Sequence, residues 1–354
     1  MRRIFAFVVL FFLAFVLIFG SSNEGMRLLS QRRYIRQDGW GADKFTFGDL
    51  YGLTYIKPFK MPRDTSFVTI PAHQPDSLTY KLNIIGDSYL YSFFSMNPRY
   101  FRKTGEVQFV RWSTPKPIPY RLSKDKKNIL LIECVERNFR HLMTLQEIRN
   151  RIDPQPSSKS EAHPGSQFAL LGRINKGIKT AIYHPTLENN LEFLLFNLGI
   201  WAPFKELKSA LNFYIFGRLD NDVRVSKNWK QLYLTQTVDP EKVGSSFYPT
   251  SDEEVGAYVA QLNEVETYFK SKGFDQVIFS IIPNPVGVLN TENKPTNQIL
   301  SRIAKHPNWK GILVDPSLRL QKNAKENFFP SDSHWNQRGA AIWLGQLNET
   351  LNAL

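Results

Sequence analysis

Three residue types that together can carry out acyl transfer occur in two short motifs of this sequence. Ser88 closes the motif Ile84-Ile85-Gly86-Asp87-Ser88, in which an apolar stretch stops at a glycine. Asp332 and His334 lie two residues apart near the end of the chain, within Phe329-Pro330-Ser331-Asp332-Ser333-His334-Trp335-Asn336. A serine nucleophile needs an imidazole base, and the imidazole needs a carboxylate that fixes its tautomer. The two motifs therefore predict a serine active site.

The backbone around Ser88 could also supply part of an oxyanion hole. A tight strand-to-helix turn would expose the Ser88 hydroxyl and aim its N–H at a developing negative charge. Arg137 and Asn138 follow the next apolar strand at the same edge and are candidates for a second donor. The alternative for Arg137 is a salt bridge with a neighbouring acid, Glu133 or Glu136. Taken alone, Gly-Asp-Ser is also typical of a simple turn or helix cap.

Short apolar stretches alternate with helical patterns along most of the chain. Strands are predicted at 81–85, 107–112, 128–133, 276–282 and 311–315, and helices at 89–96, 252–272, 296–304 and 338–351. This alternation predicts an α/β fold with a doubly wound, mostly parallel sheet and helices on both faces. Such sheets bind ligands beyond the carboxyl ends of their strands, where both motifs fall.

The sequence divides into three predicted regions. Residues 1–22 are a targeting segment, residues 23–78 an irregular arm, and residues 79–354 the α/β domain. A mainly helical insertion is predicted at about 153–250. It opens on a polar Pro/Ser-rich stretch and continues through helices near 168–182 and 191–216 to a hairpin of 223–225 with 231–234.

The N-terminus carries the pattern of a secretory signal peptide or signal anchor. Arg2 and Arg3 precede an unbroken apolar run at 4–19, followed by small residues. The run is slightly long for a cleaved signal and slightly short for a spanning helix, so both readings stay open. We expect one N-terminal membrane segment with the domain in the periplasm or outside the cell. The alternative is a soluble periplasmic protein after signal cleavage.

Composition narrows the choice of partners. Hydrophobic residues make up 42% and charged residues 22% of the chain, as in ordinary globular proteins. The net charge of +13 is spread over scattered basic pairs, with no nucleic-acid-binding signature. We therefore expect no nucleic-acid partner. The preferred interpretation of the positive charge is a solvated basic surface, and the alternative is a surface that binds anionic lipid or an acidic polysaccharide.

The sequence offers no pattern for a cofactor or a metal. It lacks a Gly-x-Gly-x-x-Gly loop, a P-loop, a His-Glu-x-x-His motif and paired cysteines, so neither is predicted. Cys134 is the only cysteine, which excludes an intrachain disulfide. Its place in an apolar strand predicts a buried side chain.

Together the motifs resemble the SGNH, or GDSL, hydrolase superfamily over roughly residues 81–354. The segment from Asp332 to Asn336 with Gly339 is most similar to the SGNH-like domain of periplasmic alginate O-acetyltransferases and related polysaccharide acetylation proteins. The resemblance implies a three-layer sandwich, with Ser88 as nucleophile, His334 as base and Asp332 as the residue that orients it. Two features depart from the family: the serine precedes the Asp-His pair, unlike in the alginate enzymes, and the usual glycine and Gly-x-Asn-Asp blocks are missing.

Three functions follow as expectations. The first is an O-acetyltransferase that acts on an exported cell-surface polysaccharide, with a multi-spanning membrane acyltransferase as acyl donor. The second is a carbohydrate O-acetylesterase that uses the same three residues with water as acceptor. The third is a non-catalytic glycan-binding or assembly subunit, because a fold does not dictate a function.

Overall fold

A computed structural model describes residues 2–21, 46–63, 68, 79–94, 96–152, 191, 193–197 and 201–354. The chain divides into two compact units. We call Met1–Arg63 with Lys159–Asp220 the N-terminal unit, and Asp64–Ser158 with Asn221–Leu354 the sheet unit. Ser88, Asp332 and His334 all belong to the sheet unit.

The strands of the sheet unit form one parallel sheet and one small hairpin. They are β1 (Tyr80–Gly86), β2 (Thr104–Arg111), β3 (Lys127–Val135), β4 (Val223–Val225), β5 (Leu232–Leu234), β6 (Gln276–Ile282) and β7 (Ile312–Val314). The five-stranded sheet has the order β2-β1-β3-β6-β7, and every neighbouring pair in it is parallel. Strands β4 and β5 pair antiparallel.

Helices connect these strands. The described α-helices are α1 (Arg2–Gly20), α2 (Asp49–Thr54), α3 (Ser88–Tyr91), α4 (Glu136–Leu142), α5 (Leu145–Arg149), α6 (Ala202–Ala210), α7 (Thr235–Val238), α8 (Asp252–Ser271), α9 (Pro285–Leu289), α10 (Ile299–Lys305), α11 (Ser317–Gln321) and α12 (Gln337–Ala353). Helix α8 shows how local sequence sets the bounds. A capping box of Ser251 and Glu254 starts it, and Gly273 follows its end at a φ of 99° that favours glycine.

Both faces of the sheet are covered by helices. On one face, Trp343, Leu347 and Leu351 of α12 pack in a core with Leu82 and Leu131. On the other face, residues of α4, α5, α8 and α10 pack in a second core with Leu130, Ile132 and Phe279. Strand β3 is buried on both sides because it is central, which explains its continuous apolar sequence.

The α/β class and the parallel sheet predicted from the sequence are confirmed. Strand β6 has the predicted bounds, and the other strands of the sheet differ from prediction by a few residues at their ends. Helix α3 stops at Tyr91, whereas the sequence predicted a helix over 89–96. Cys134 is fully buried, as predicted.

The predicted regions and the compact units divide the chain differently. Residues 221–250, which the sequence placed at the end of an insertion, belong to the sheet unit, because the β4–β5 hairpin is attached to it. The helix expected near 168–182 and most of the arm at 23–78 lie outside the described residues. Both therefore stay predictions.

The strand order creates a reversal point beside β1. The chain passes from β1 to β2 on one side and then crosses to β3 on the other side. Sheets wound in this order open a crevice at the carboxyl ends of the two strands that flank the reversal. Here these ends are Gly86 of β1 and Val135 of β3, each followed at once by a short helix.

In the N-terminal unit, α1 is the feature that bears on location. It has 19 residues, and its best 18-residue window has a mean hydropathy of 2.7. The helix is long and apolar enough to cross a membrane, and a signal sequence would meet the same criterion. Most of its side chains are exposed, and Val16 is a buried exception.

The core of the sheet unit provides a test of the fold. Leu262 of α8 is fully buried, so we expect Leu262→Ala to lower the free energy of unfolding by about 2–5 kcal/mol. Leu318→Ala is the matched control: this side chain is 76% exposed, and the change is expected to stay within about 0.5 kcal/mol. Urea unfolding of the detergent-solubilised chain measures both. Equal effects would contradict the assignment of α8 to the core.

Candidate active site

Ser88, His334 and Asp332 form one hydrogen-bonded chain. Ser88 Oγ lies 2.7 Å from His334 Nε2, and His334 Nδ1 lies 2.6 Å from Asp332 Oδ1. A carboxylate can only accept, so Nδ1 carries the proton and Nε2 is left to accept from the serine hydroxyl. Asp332 is fully buried, His334 is partly buried and Ser88 is exposed. The arrangement directs a base at a serine that solvent and substrate can reach.

Local bonds fix the histidine relative to its carboxylate. The His334 backbone N–H also donates to Asp332 Oδ1, at 2.9 Å, so main chain and ring share one acceptor. Tyr89 packs its ring 4.7 Å from the imidazole, centroid to centroid, and its hydroxyl donates to the Ser333 carbonyl. The imidazole therefore has little freedom to rotate away from Ser88.

The turn that carries Ser88 is held by Asp87. Its carboxylate accepts from the Tyr89 N–H at 2.8 Å, which caps α3, and from the Val135 N–H at 3.1 Å. One side chain thereby joins the end of β1 to the end of β3. The Asp87 backbone N–H in turn donates to Glu133 Oε2 at 2.9 Å.

Glu133 is a buried acid directly beneath this turn. A Cβ at Gly86 would lie 2.8 Å from Glu133 Oε2 and 3.0 Å from a ring carbon of Phe109, so a larger residue here would force these neighbouring side chains to shift. Burial raises the pKa of Glu133 well above its usual range, and the Asp87 carboxylate raises it further. Both effects act against ionisation of the acid beneath the nucleophile.

Two tryptophans and the small hairpin position the His334 loop. Trp335 Nε1 donates to the Tyr89 carbonyl at 3.1 Å, which ties the loop to α3. Trp343 Nε1 donates to Ser280 Oγ at 2.8 Å and so ties α12 to β6. From the hairpin, the Leu232 N–H donates to the Pro330 carbonyl at 2.8 Å.

The two candidate oxyanion donors fall in different places. Arg137 lies near the site: its Nη1 is 3.5 Å from the Tyr89 hydroxyl, and it lines a small pocket with Tyr233 and Ser333. Asn138 is partly buried on α4, and within the described residues its side chain makes no hydrogen bond. No described hydrogen bond connects either side chain to Ser88, and their role as oxyanion or substrate donors stays a prediction.

The Ser88 backbone N–H is the better-placed donor. In the described part of the chain no acceptor takes this N–H, although the N–H groups on both sides, of Asp87 and Tyr89, are bonded. An oxyanion formed on a substrate carbonyl at Ser88 Oγ would find this donor unoccupied.

A cleft of about 400 Å³ opens at the same edge of the sheet. Glu136, Pro283 and Asp315, which follow β3, β6 and β7 respectively, all line it. Amide and hydroxyl side chains add to the wall, among them Asn297, Gln298 and Ser301, between apolar residues such as Leu300. Glu136 follows β3, the strand next to β1, and Pro283 follows β6, which lies about 10 Å across the sheet from β1.

Glu136 is the most constrained group of this cleft. Its Oε2 accepts from the Asn284 N–H at 2.9 Å and from Ser246 Oγ at 3.2 Å. Burial raises the pKa of Glu136 to about 6, although both hydrogen bonds act to lower it. The positive charge of Arg137 acts to lower the pKa of Glu133, against the larger effect of burial. The salt-bridge alternative for Arg137 stays a prediction.

Sequence reasoning missed several residues of the site. Tyr89, Glu133 and Glu136 were not predicted to take part, nor was the cleft beyond β6 and β7. A signal for Glu133 was present, because an acid inside a stretch that is otherwise apolar on both faces marks a special environment. No pattern pointed to Tyr89, whose role depends on a loop far away in the chain.

The chain matches no protein-family model, no curated protein and no solved structure. The site is therefore interpreted from its own geometry. The sheet unit assembles an exposed hydroxyl, an oriented imidazole and a buried carboxylate.

Glu136 gives the protein a testable pH dependence. A carboxyl group with a pKa raised from 4.5 to about 6 contributes stability that is fully present below pH 4.5 and is lost as the pH rises through about 6. We expect Glu136→Gln to remove this fall, which amounts to about 2 kcal/mol, because glutamine still accepts from Asn284 without ionising. Chemical unfolding between pH 4 and about 7 measures it. The exposed Glu253→Gln is the control, and a parallel decline in Glu136→Gln would contradict the prediction.

Proposed function

We propose that this chain is an SGNH-type serine acyltransferase, held at a membrane, that acetylates hydroxyl groups of an exported polysaccharide. One observation carries the proposal: Ser88, His334 and Asp332 form a continuous hydrogen-bonded chain at the carboxyl edge of a parallel sheet. The resemblance of the segment from Asp332 to Asn336, with Gly339, to polysaccharide acetylation proteins supports the acetyl group and the sugar acceptor.

The first half-reaction loads the enzyme. Ser88 Oγ attacks the carbonyl carbon of the acyl donor while His334 Nε2 takes the hydroxyl proton, and Asp332 stabilises the imidazolium that forms. The carbonyl electrons move onto oxygen, where the Ser88 N–H can donate to the oxyanion. Collapse expels the leaving group, which takes the proton from His334, and leaves an acetyl ester on Ser88.

The second half-reaction removes the acetyl group from Ser88. A sugar hydroxyl attacks the acetyl-Ser88 carbonyl, and His334 takes its proton and then returns a proton to Ser88 Oγ as the ester bond breaks. The proposed acceptor site is the cleft lined by Glu136, Asn297 and Ser301. Carboxylate, amide and hydroxyl groups offer the mixture of donors and acceptors that a polyhydroxylated ligand requires.

The proposed location decides what the donor can be. If α1 acts as a signal anchor, the sheet unit works outside the cytoplasm, where acetyl-CoA is not available. A multi-spanning membrane acyltransferase would then deliver the acetyl group across the bilayer. A membrane tether would raise the effective concentration of Ser88 near that source.

A carbohydrate O-acetylesterase is the second candidate. Ser88 is exposed, and this observation favours it, because water can then reach the acyl-enzyme as readily as a sugar can. Both candidates share the acetyl-Ser88 intermediate and differ only in the acceptor. The third candidate, a non-catalytic glycan-binding subunit, would have no use for an oriented Ser-His-Asp chain.

Acyl turnover tests the three residues. We expect Ser88→Ala and His334→Ala each to lower turnover of an acetyl-ester reporter on the order of 10⁴-fold or more, because the groups act as one unit. Asp332→Asn is expected to be severe as well, since the amide permits the wrong histidine tautomer. Ser92→Ala, an exposed serine just after the same short helix, is the matched control. Turnover in Ser88→Ala close to that of the control would refute the proposed enzymatic function.

Product analysis separates transfer from hydrolysis. With the acetyl ester and an oligosaccharide acceptor, we expect mass spectrometry to detect acetylated sugar. A bulky Ser301→Trp change in the cleft is expected to remove most of this product, while hydrolysis of the small ester continues. Free acetate with no acetylated sugar, in the unmodified chain and across a panel of acceptors, would instead identify an esterase.

A further inference from the structure

Helix α6 of the N-terminal unit turns its polar side toward the protein. Glu206 accepts from the Tyr51 hydroxyl at 2.7 Å and from Lys60 Nζ at 2.5 Å, and its side chain is 14% exposed. One turn further along, Ser209 Oγ donates to the Thr54 carbonyl. The polar groups on this side are therefore bonded to the helix and turn at 49–60.

The opposite side of the same helix is apolar and exposed. Phe204, Leu207 and Leu211 follow at helical spacing, and a π-helical turn over Leu211–Ile215 extends the surface. Phe204 and Ile215 are each 66% exposed. We call this surface, formed by Trp201, Phe204, Leu207, Leu211, Tyr214, Ile215 and Phe216, the apolar strip.

The orientation of the polar and apolar sides of α6 is the reverse of that found in a surface helix of a water-soluble protein. Such a helix buries its apolar stripe and presents its polar side to solvent. Here the polar side is engaged and seven large apolar or aromatic side chains face outward. A contiguous exposed patch of this kind is unfavourable in water and marks a surface that contacts another apolar phase.

The same unit contains α1, the candidate membrane span, whose surroundings would be such an apolar phase. Val16 of α1 and Leu194 are both buried against each other, with Phe15, Phe19, Leu191 and Leu195 packed around them. Leu191, Leu194 and Leu195 thus pack on the last turns of the apolar helix, and α6 begins at Ala202. The apolar strip therefore belongs to the same compact unit as the candidate membrane span.

We propose that residues 201–216 lie in the membrane interface with the apolar strip in the lipid, as a second membrane-contacting element beside α1. Trp201 and Tyr214 are the aromatic types that favour the headgroup level. Exposed Lys208 and Arg218 can extend their charged ends to the headgroups. An amphipathic helix of this composition binds a bilayer surface without crossing it.

The inference rests on the proposed membrane segment and not on the acyl chemistry. Lipid is favoured over a protein partner because the strip belongs to the same compact unit as α1, whose outward side chains are equally apolar, and because a segment a few residues before it packs on that helix. The element would hold the N-terminal unit against the bilayer by two attachments.

Spin-label accessibility in bilayers tests the proposal. The full chain is reconstituted in purified lipid nanodiscs with a nitroxide at Leu207→Cys, Leu211→Cys or Phe204→Cys, all surface positions. Cys134 is buried and does not compete for the label. We expect collisions with oxygen, which concentrates in hydrocarbon, to exceed those with a water-soluble nickel chelate several-fold. The exposed Asp252→Cys label in the sheet unit is the aqueous control, and Leu10→Cys reports on α1 itself.

The outcomes separate the possibilities. Oxygen-dominated collisions at the strip positions, with nickel-dominated collisions at Asp252→Cys, support the proposal. If Leu10→Cys reports lipid while the strip labels match Asp252→Cys, the strip lies in water and the proposal is overturned. Strip labels that neither reagent reaches would show a protein contact, such as a second copy, and would overturn it too. None of these results depends on acyl transfer.

Discussion

The carboxylate of Asp87 is the point on which the site depends. It joins the N–H at the start of α3 to the N–H at the end of β3, while its own N–H donates to a buried glutamic acid. Two neighbouring strand ends and the serine-bearing turn are thereby fixed to one another. If this junction moved, Ser88 would move relative to His334, whose loop is held from the other side by Tyr89 and Trp335.

Buried acids are unusual, and besides Asp332 this edge of the sheet holds two more, Glu133 and Glu136. An isolated carboxylate in a protein interior is strongly destabilising, so each group either favours its protonated form or collects donors. Glu133 lies under the turn that carries the serine, and Glu136 lies at the wall of the cleft. Glu133 lies near the end of β3, and Glu136 directly follows this strand, which flanks the reversal point. The destabilising groups are thus concentrated where the proposed chemistry takes place.

The two units pose different physical problems. The sheet unit buries apolar side chains in two cores, one on each face of a parallel sheet. The N-terminal unit exposes an apolar helix and an apolar strip, for which we propose contact with lipid. The proposed function would give a reason to combine these properties, since the donor would come through the membrane and the acceptor from the aqueous side.

The sequence alone determined the elements whose cause is local. Alternating apolar and helical stretches gave the α/β class, and the two-residue spacing of Asp332 and His334 already allowed their bond, because a turn brings such neighbours together. Ser88 and His334 are 246 positions apart, and only the tertiary contacts that hold the His334 loop against the serine-bearing turn bring them within 2.7 Å. The acid beneath Gly86 and the cleft beyond β3, β6 and β7 likewise come from strands that are distant in the chain. Sequence periodicity shows that α6 has two faces, but which face meets the protein is decided by the partners at Tyr51, Thr54 and Lys60, and those are set by tertiary contact.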